Sequence, residues 1–393
     1  MVSSLNALGK EDISRMSDKL AVAFAPGLEG VIATRTRLSS VDGAEGHLVI
    51  AGFPVEELAG RASFEETLYL LWNDALPDGE QLAALRGDLA AQRTLPMITM
   101  DVLAAAATER VPPMDALRMA SGTLDLKDGD DRGDALQLVA ALPTIAAAHW
   151  RLSQGWEPVE PNPELAHAAN YLYMLSGERP SPEQTRALET YLNTVVDHGM
   201  NASTFAARVI ISTRSDIASA VVGAIGALKG PLHGGAPGPA LDVVFEIGEA
   251  ERAEEHLRAK LDRGERLMGF GHRVYKVRDP RADVLGAAAE RLYTTDADRA
   301  LYELAREVEE TALSLLEEYK PGRNLQTNVE FYTALLLHGL SLPIELFTPT
   351  FAVGRVGGWT AHCFEQRALD RIIRPQSEYI GSKDRSWVPI EER

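Results

Sequence analysis

The sequence predicts a mostly α-helical protein of two or more lobes, with a small β-hairpin near its N-terminus. Three observations carry this. Apolar residues recur at three- and four-residue spacing over most of the chain, the signature of amphipathic helices. Strand signals are confined to the first 60 residues. The segments richest in Gly and Pro, GPLHGGAPGP and GDDRGD, punctuate the helical periodicity as loops.

Taken in order, VIATRTRLSSVDGAEGHLVIAGF alternates β-branched residues around Asp42-Gly43, a hairpin-type turn. In SPEQTRALETYLNTVVDHG, Ser181 caps a helix on which Leu188, Leu192, Val195 and Val196 form one apolar face, and Gly199 ends it. A second helix is predicted from Asn201 through ASTFAARVIISTR, a third from Glu251 through Lys260, and a long one across ADRALYELAREVEETALSLLEEYKPG, closed by Pro321 and Gly322. Two more follow, around VEFYTALLLHGL and RVGGWTAHCFEQRAL. The glycine-rich segments around 230–238 and 354–358 read as hinges.

At 393 residues with 45% hydrophobic content, the chain can bury a substantial core. Its net charge of -18 argues against a nucleic-acid partner, which needs a basic stripe. No apolar run approaches the roughly 20 residues that cross a membrane, and the N-terminus has no secretory pattern, so the expected location is the cytoplasm. Cys363 is the only cysteine, which excludes an internal disulfide and a thiolate metal cluster; it is expected to be a small buried apolar residue. There is no HExxH, no GxGxxG after a strand and no Walker loop, so neither a metal nor a nucleotide cofactor is expected.

Positive charge matters only where it clusters, and LMGFGHRVYKVRDPRADVL, residues 267 to 285, carries Arg273, Lys276, Arg278 and Arg281 behind a histidine. Three histidines sit where breakers interrupt helices: His198, His233 and His272. Glycine beside each permits close approach of a ligand, and imidazole suits proton transfer or hydrogen bonding near neutral pH. Arg281, Arg355 and Arg374 each stand beside or close to Gly or Pro, and a planar guanidinium suits bidentate capture of a carboxylate. Glu330 falls near a helix start after Asn328, where a carboxylate also favours the helix dipole. Any one of these residues is as readily a cap, a packing group or an ion pair; convergence would make the functional case.

Together these residues resemble the citrate synthases and the related 2-methylcitrate synthases. The likeness runs from GLEGVIATRTRLSSVDG, through SFEETLYLLWNDALP and LPTIAAA, to IIRPQSEYIG, over nine tenths of the chain, and GFGHRVYKVRDPR is its most specific piece. The resemblance implies a two-domain helical fold, with residues 1–233 and 341–393 forming a large domain and 234–340 a small one, closing around a cleft. It implies a homodimer that condenses acetyl-CoA with oxaloacetate and hydrolyses the citryl thioester, without a metal or cofactor. In that reading His233 stabilises the enol of the thioester, His272 polarises the ketone, and Glu330 is the base. His198, Arg281, Arg355 and Arg374 hold oxaloacetate, the last reaching across the dimer interface, and Lys276 and Arg278 meet CoA phosphates.

The chain departs from the usual pattern twice. The base is normally an aspartate in an NVD context, whereas NVE places a carboxylate one methylene further out, as in relatives of a second class. HGGAPGPA also replaces the more usual HGGAN after His233. Two other readings follow: a 2-methylcitrate synthase using propionyl-CoA, and a catalytically weakened homologue that binds CoA or oxo acid.

Overall fold

The computed structural model describes residues 24–124, 130–234, 237–272 and 274–393. Residues up to Thr36 form one unit and Arg37–Arg393 another. The described part of the first is short and largely exposed, with one 3-10 turn at Pro26–Leu28. Within the second, the described residues form sixteen α-helices and a small sheet, so the mostly α class holds.

The predicted hairpin forms strands β1 (Ser39–Asp42) and β2 (His47–Ile50), antiparallel with Ser39 opposite Ile50, and a two-residue strand β3 (Phe53–Pro54) adds to β2. Pairing starts at Ser39 and not at Val31, later than the alternation suggested. Leu48 and Ile50 point to the core, as period-two alternation requires.

The helices begin where side chains can take up free N–H groups. Ser181 accepts the Gln184 N–H, and the Gln184 side chain returns the bond, so Pro182–Val195 opens on a capping box. Asn201 caps Ala202–Ile211 in the same sense. The C-terminal helix is longer than its sequence signal, running Phe347–Leu369, because Pro349 lies in its first turn, where the missing N–H is harmless.

Five helices, Pro237–Ile247, Ala253–Asp262, Pro280–Leu292, Asp296–Tyr319 and Val329–Gly339, pack largely on one another. Pro280–Leu292 also packs on Pro182–Val195, tying this group to the rest. The other main core follows Asp131–Ser153, buried almost throughout from Asp134 to His149, with Phe347–Leu369 against it. Cys363 is fully buried, which pushes its thiol up to about 12. No helix among the described residues is long and apolar enough to cross a membrane.

Gly354, Gly357 and Gly358 do not form a hinge: they lie inside this continuous buried helix. A Cβ at Gly358 would stand 2.1 Å from the Val196 carbonyl oxygen, and one at Gly354 would stand 2.8 Å from the Val195 side chain. The glycines therefore let the helix lie against the backbone that leads to His198. Gly358→Ala should cost about 1–3 kcal/mol by overpacking, read by denaturant unfolding; an unchanged midpoint would contradict this close approach.

Candidate active site

The loop carrying His272 and the loop leading to Glu330 are zipped together. Phe270 and Thr327 form an antiparallel bridge, Gly271 N–H donates to Gln326 O at 2.7 Å, and Asn328 N–H donates to Gly269 O at 3.0 Å. Asn328 adds a side-chain bond from Nδ2 to Gly271 O at 2.9 Å, while its Oδ1 accepts the Glu330 N–H and starts the Val329–Gly339 helix. Gly269 and Gly271 have φ of +89° and +80°, and a Cβ at Gly269 would meet Phe331 at 3.0 Å. Two segments some 60 residues apart in sequence are thereby held in one register.

His272 Nδ1 accepts the backbone N–H groups of Val274 and Tyr275, both at 3.1 Å, so the neutral ring carries its proton on Nε2. Burial and then Arg281 push its pKa down to about 4, which makes it a neutral hydrogen-bond donor at working pH. His198 lies edge-on to it with ring centroids 6.0 Å apart, and its Nε2 is 3.0 Å from the Tyr275 hydroxyl. Burial, Arg281 and Arg355 hold His198 well below its ordinary range, so it too is neutral. Arg281, buried at the start of Pro280–Leu292, is gripped by Asp279 through Nε at 3.0 Å and Nη2 at 2.7 Å. That clamp fixes the guanidinium while its Nη1 makes no hydrogen bond among the described residues.

The second group centres on His233, in the turn after Ile217–Leu228. Ser203 N–H donates to its Nε2 at 3.3 Å, which places the ring proton on Nδ1. The Ser203 hydroxyl lies 2.8 Å from the same nitrogen and accepts Trp359 Nε1–H at 3.1 Å. Burial and Arg355 lower His233 to about 4. Its ring meets Phe351 edge-on at 6.3 Å, and the Arg355 guanidinium lies 4.8 Å from the centroid of that same Phe351 ring. Arg355 donates Nε–H to the Val195 carbonyl but leaves its buried Nη1 without a partner. Burial lowers it to about 10, Asp197 opposing and Arg281 adding to the shift.

Arg281 and Arg355 connect the two groups, and Glu330 lies beside Arg281. Burial raises its carboxyl to about 7, with Arg281 pulling the other way. Its charge is felt by Arg281 in turn, Arg281 is felt by Arg355, and the charge of Arg355 is felt by both His198 and His233. The structure thus brings His198, His233, His272, Arg281, Arg355 and Glu330 into one electrostatic neighbourhood: neutral imidazoles, buried guanidiniums and a carboxyl that ionises near neutrality.

Three predicted residues stand elsewhere. Arg374 is exposed in the segment after Phe347–Leu369 and does not join this group within one chain. Lys276 is exposed, its backbone tied to Gly43 O and Asn324 Nδ2. Arg278 is ion-paired to Asp283 and Glu309. Sequence reasoning missed Tyr275, Asp279 and Ser203. Asp279 was within reach of it, because a carboxylate two residues before Arg281 at a helix start is an obvious clamp.

A family model described as citrate synthase, C-terminal domain, matches residues 27–376. The chain belongs to the citrate synthase family. Citrate synthase of Haloferax volcanii is 43% identical over 379 residues, covering 93% of this chain and 98% of that protein. A 2-methylcitrate synthase of Mycobacterium tuberculosis is 39% identical over 368 residues, covering 91% of each. A citrate synthase of Thermoplasma acidophilum, solved as a ternary complex with carboxymethyl coenzyme A and oxaloacetate, has a TM-score of 0.85 at 29% identity, covering 94% of this chain and all of that one. The enzyme is therefore of the citrate synthase type.

Carboxyl-carbon NMR of glutamate-labelled protein should show one signal, absent in Glu330→Gln, that titrates near pH 7 rather than near 4.5. The difference spectrum separates it from Glu189, which burial raises similarly. A Glu330 signal with an ordinary midpoint would contradict the burial described here.

Proposed function

We propose that this chain condenses acetyl-CoA with oxaloacetate and hydrolyses the resulting citryl thioester to citrate and CoA. One observation carries the reading most: Glu330, a carboxyl raised to about 7, and His272, whose proton sits on Nε2, both feel the charges of Arg281 and Asp279.

The methyl protons of a thioester are weakly acidic, so the base needs a strong proton affinity and the enol needs a donor for its developing charge. Glu330 takes the methyl proton. His233, with its proton on Nδ1, donates to the thioester oxygen as the enol forms. His272, with its proton on Nε2, polarises the ketone oxygen of oxaloacetate, and the enol carbon attacks the ketone carbon to form the new C–C bond. Water then cleaves the thioester and releases CoA. Arg281 and Arg355 hold the carboxylates, with His198 beside them; the alkoxide left by C–C bond formation takes the Nε2 proton of His272, and the thiol of CoA leaves with a proton from the attacking water.

In the same reading the cleft lies between a large domain, residues 1–233 and 341–393, and a small one, 234–340. Arg374 completes the oxo-acid site of a second copy in a homodimer. Its exposed setting supports this, since Ile380 and Trp387 along the same segment are 93% and 79% exposed. Lys276 and Arg278 are assigned to the CoA side, and the enzyme to the cytoplasm and the tricarboxylic acid cycle.

The deciding assay is thiol release from acetyl-CoA and propionyl-CoA, with and without oxaloacetate. Oxaloacetate-dependent release favouring acetyl-CoA is expected. A preference for propionyl-CoA would make the chain a 2-methylcitrate synthase, and one methylene in an apolar pocket is worth about 10- to 200-fold. No release with either thioester would leave a binding protein. Glu330→Gln should lower kcat by about 100- to 10,000-fold, and retained exchange of the methyl protons would remove it as the base. Because the base must be ionised, kcat/KM should fall about tenfold per pH unit as pH drops below about 7; a limb centred near 4.5 would contradict the role.

A further inference from the structure

The buried carboxylate of Glu309 has no part in the roles assigned above. It lies in the Asp296–Tyr319 helix and is 5% exposed, yet its two oxygens take three bonds. Oε1 accepts from Arg278 Nη1 at 2.6 Å and from Thr327 Oγ1 at 2.5 Å, and Oε2 accepts from the Tyr332 hydroxyl at 2.5 Å. A carboxylate persists in such a place only when its lone pairs are met, and here every donor belongs to a segment that carries site residues.

Arg278 lies between His272 and Arg281 on the same loop. Thr327 is the bridge partner of Phe270, and its carbonyl accepts the N–H of Asp279, the residue that clamps Arg281, at 3.3 Å. Tyr332 stands two residues beyond Glu330, in the first turns of the same helix. One buried carboxylate therefore touches the oxo-acid loop, the strand-like zip and the helix that bears Glu330. An apolar residue there would leave Arg278 and Tyr332 without this shared partner, and an amide would offer only one accepting oxygen.

We propose that Glu309 is a positioning residue that staples the Glu330 helix to the loop of His272 and Arg281, and so sets the separation between the base and the group that polarises the ketone. This rests on the reading of Glu330 and His272 given above. Placement has narrow tolerance, since an error of about 1 Å costs on the order of 100-fold in rate. Glu330, with its extra methylene, has one more rotatable bond to control than an aspartate.

The test compares full-length wild type, Glu309→Ala, Glu309→Gln and Tyr332→Phe for kcat, for oxaloacetate Kd by calorimetry and for melting temperature, with Glu330→Gln as reference. Glu309→Ala should lower kcat on the order of 100-fold, and Glu309→Gln and Tyr332→Phe by less but measurably. Oxaloacetate Kd should stay within about threefold, because Arg281 keeps Asp279 and Arg355 keeps Val195, giving a split between kcat and binding that a general loss of structure would not produce. If Glu309→Ala fails to fold, Glu309→Gln and Tyr332→Phe decide. Wild-type kcat in both, or equal losses of kcat and oxaloacetate affinity, would overturn the proposal. Full activity of Glu330→Gln would instead overturn the assignment of the base.

Discussion

The site depends on two guanidiniums that are buried before any ligand arrives. Arg281 and Arg355 are 4% and 1% exposed, and the charge of Arg281 disfavours that of Arg355. A buried unpaired cation is costly, by several kcal/mol in real proteins. Asp279 offsets that cost for Arg281 through two bonds, whereas Arg355 donates to the Val195 carbonyl, feels Asp197 only at a distance, and has a buried Nη1 with no hydrogen-bond partner among the described residues. A dianionic keto acid would supply what the protein withholds, and it would do so in a chain whose net charge of -18 otherwise repels it.

The same positive field explains the imidazoles. In water a histidine would be partly protonated near neutrality, and a charged ring has no preferred donor nitrogen. Burial and the neighbouring arginines keep His198, His233 and His272 neutral, and backbone N–H groups then fix which nitrogen of His233 and His272 holds the proton. Burial acts in the opposite sense on Glu330 and raises its proton affinity. One partly buried, cationic environment thus yields neutral imidazoles together with a carboxyl of raised pKa, which is how groups of such different ordinary pKa could work at one pH.

Much of the fold was legible because its signals are local. The Ser181 cap and the apolar face through Leu188 and Leu192 need only the residues around them, and the helix starts where they place it, although it ends at Val195 rather than at Gly199. The Asp42-Gly43 turn likewise marks the hairpin. The glycines at 354–358 misled because their reason is not local: a helix interior accepts Gly at a cost, and only contact with Val196 and Val195 shows why Ala is excluded. The site residues were nameable from their motifs, but not their chemistry. Which nitrogen of His233 is protonated depends on Ser203, thirty residues earlier, and the bracing of the Glu330 helix depends on Glu309, which carries no motif at all.

The central claim is that Arg355 holds an unmet positive charge that a dicarboxylate completes. Thermal unfolding with and without saturating oxaloacetate, in wild type and in Arg355→Gln, tests it most directly. A clear rise in melting temperature is expected for wild type and almost none for the variant. An equal rise in both would show that Arg355 does not receive the ligand, and would contradict the arrangement described here.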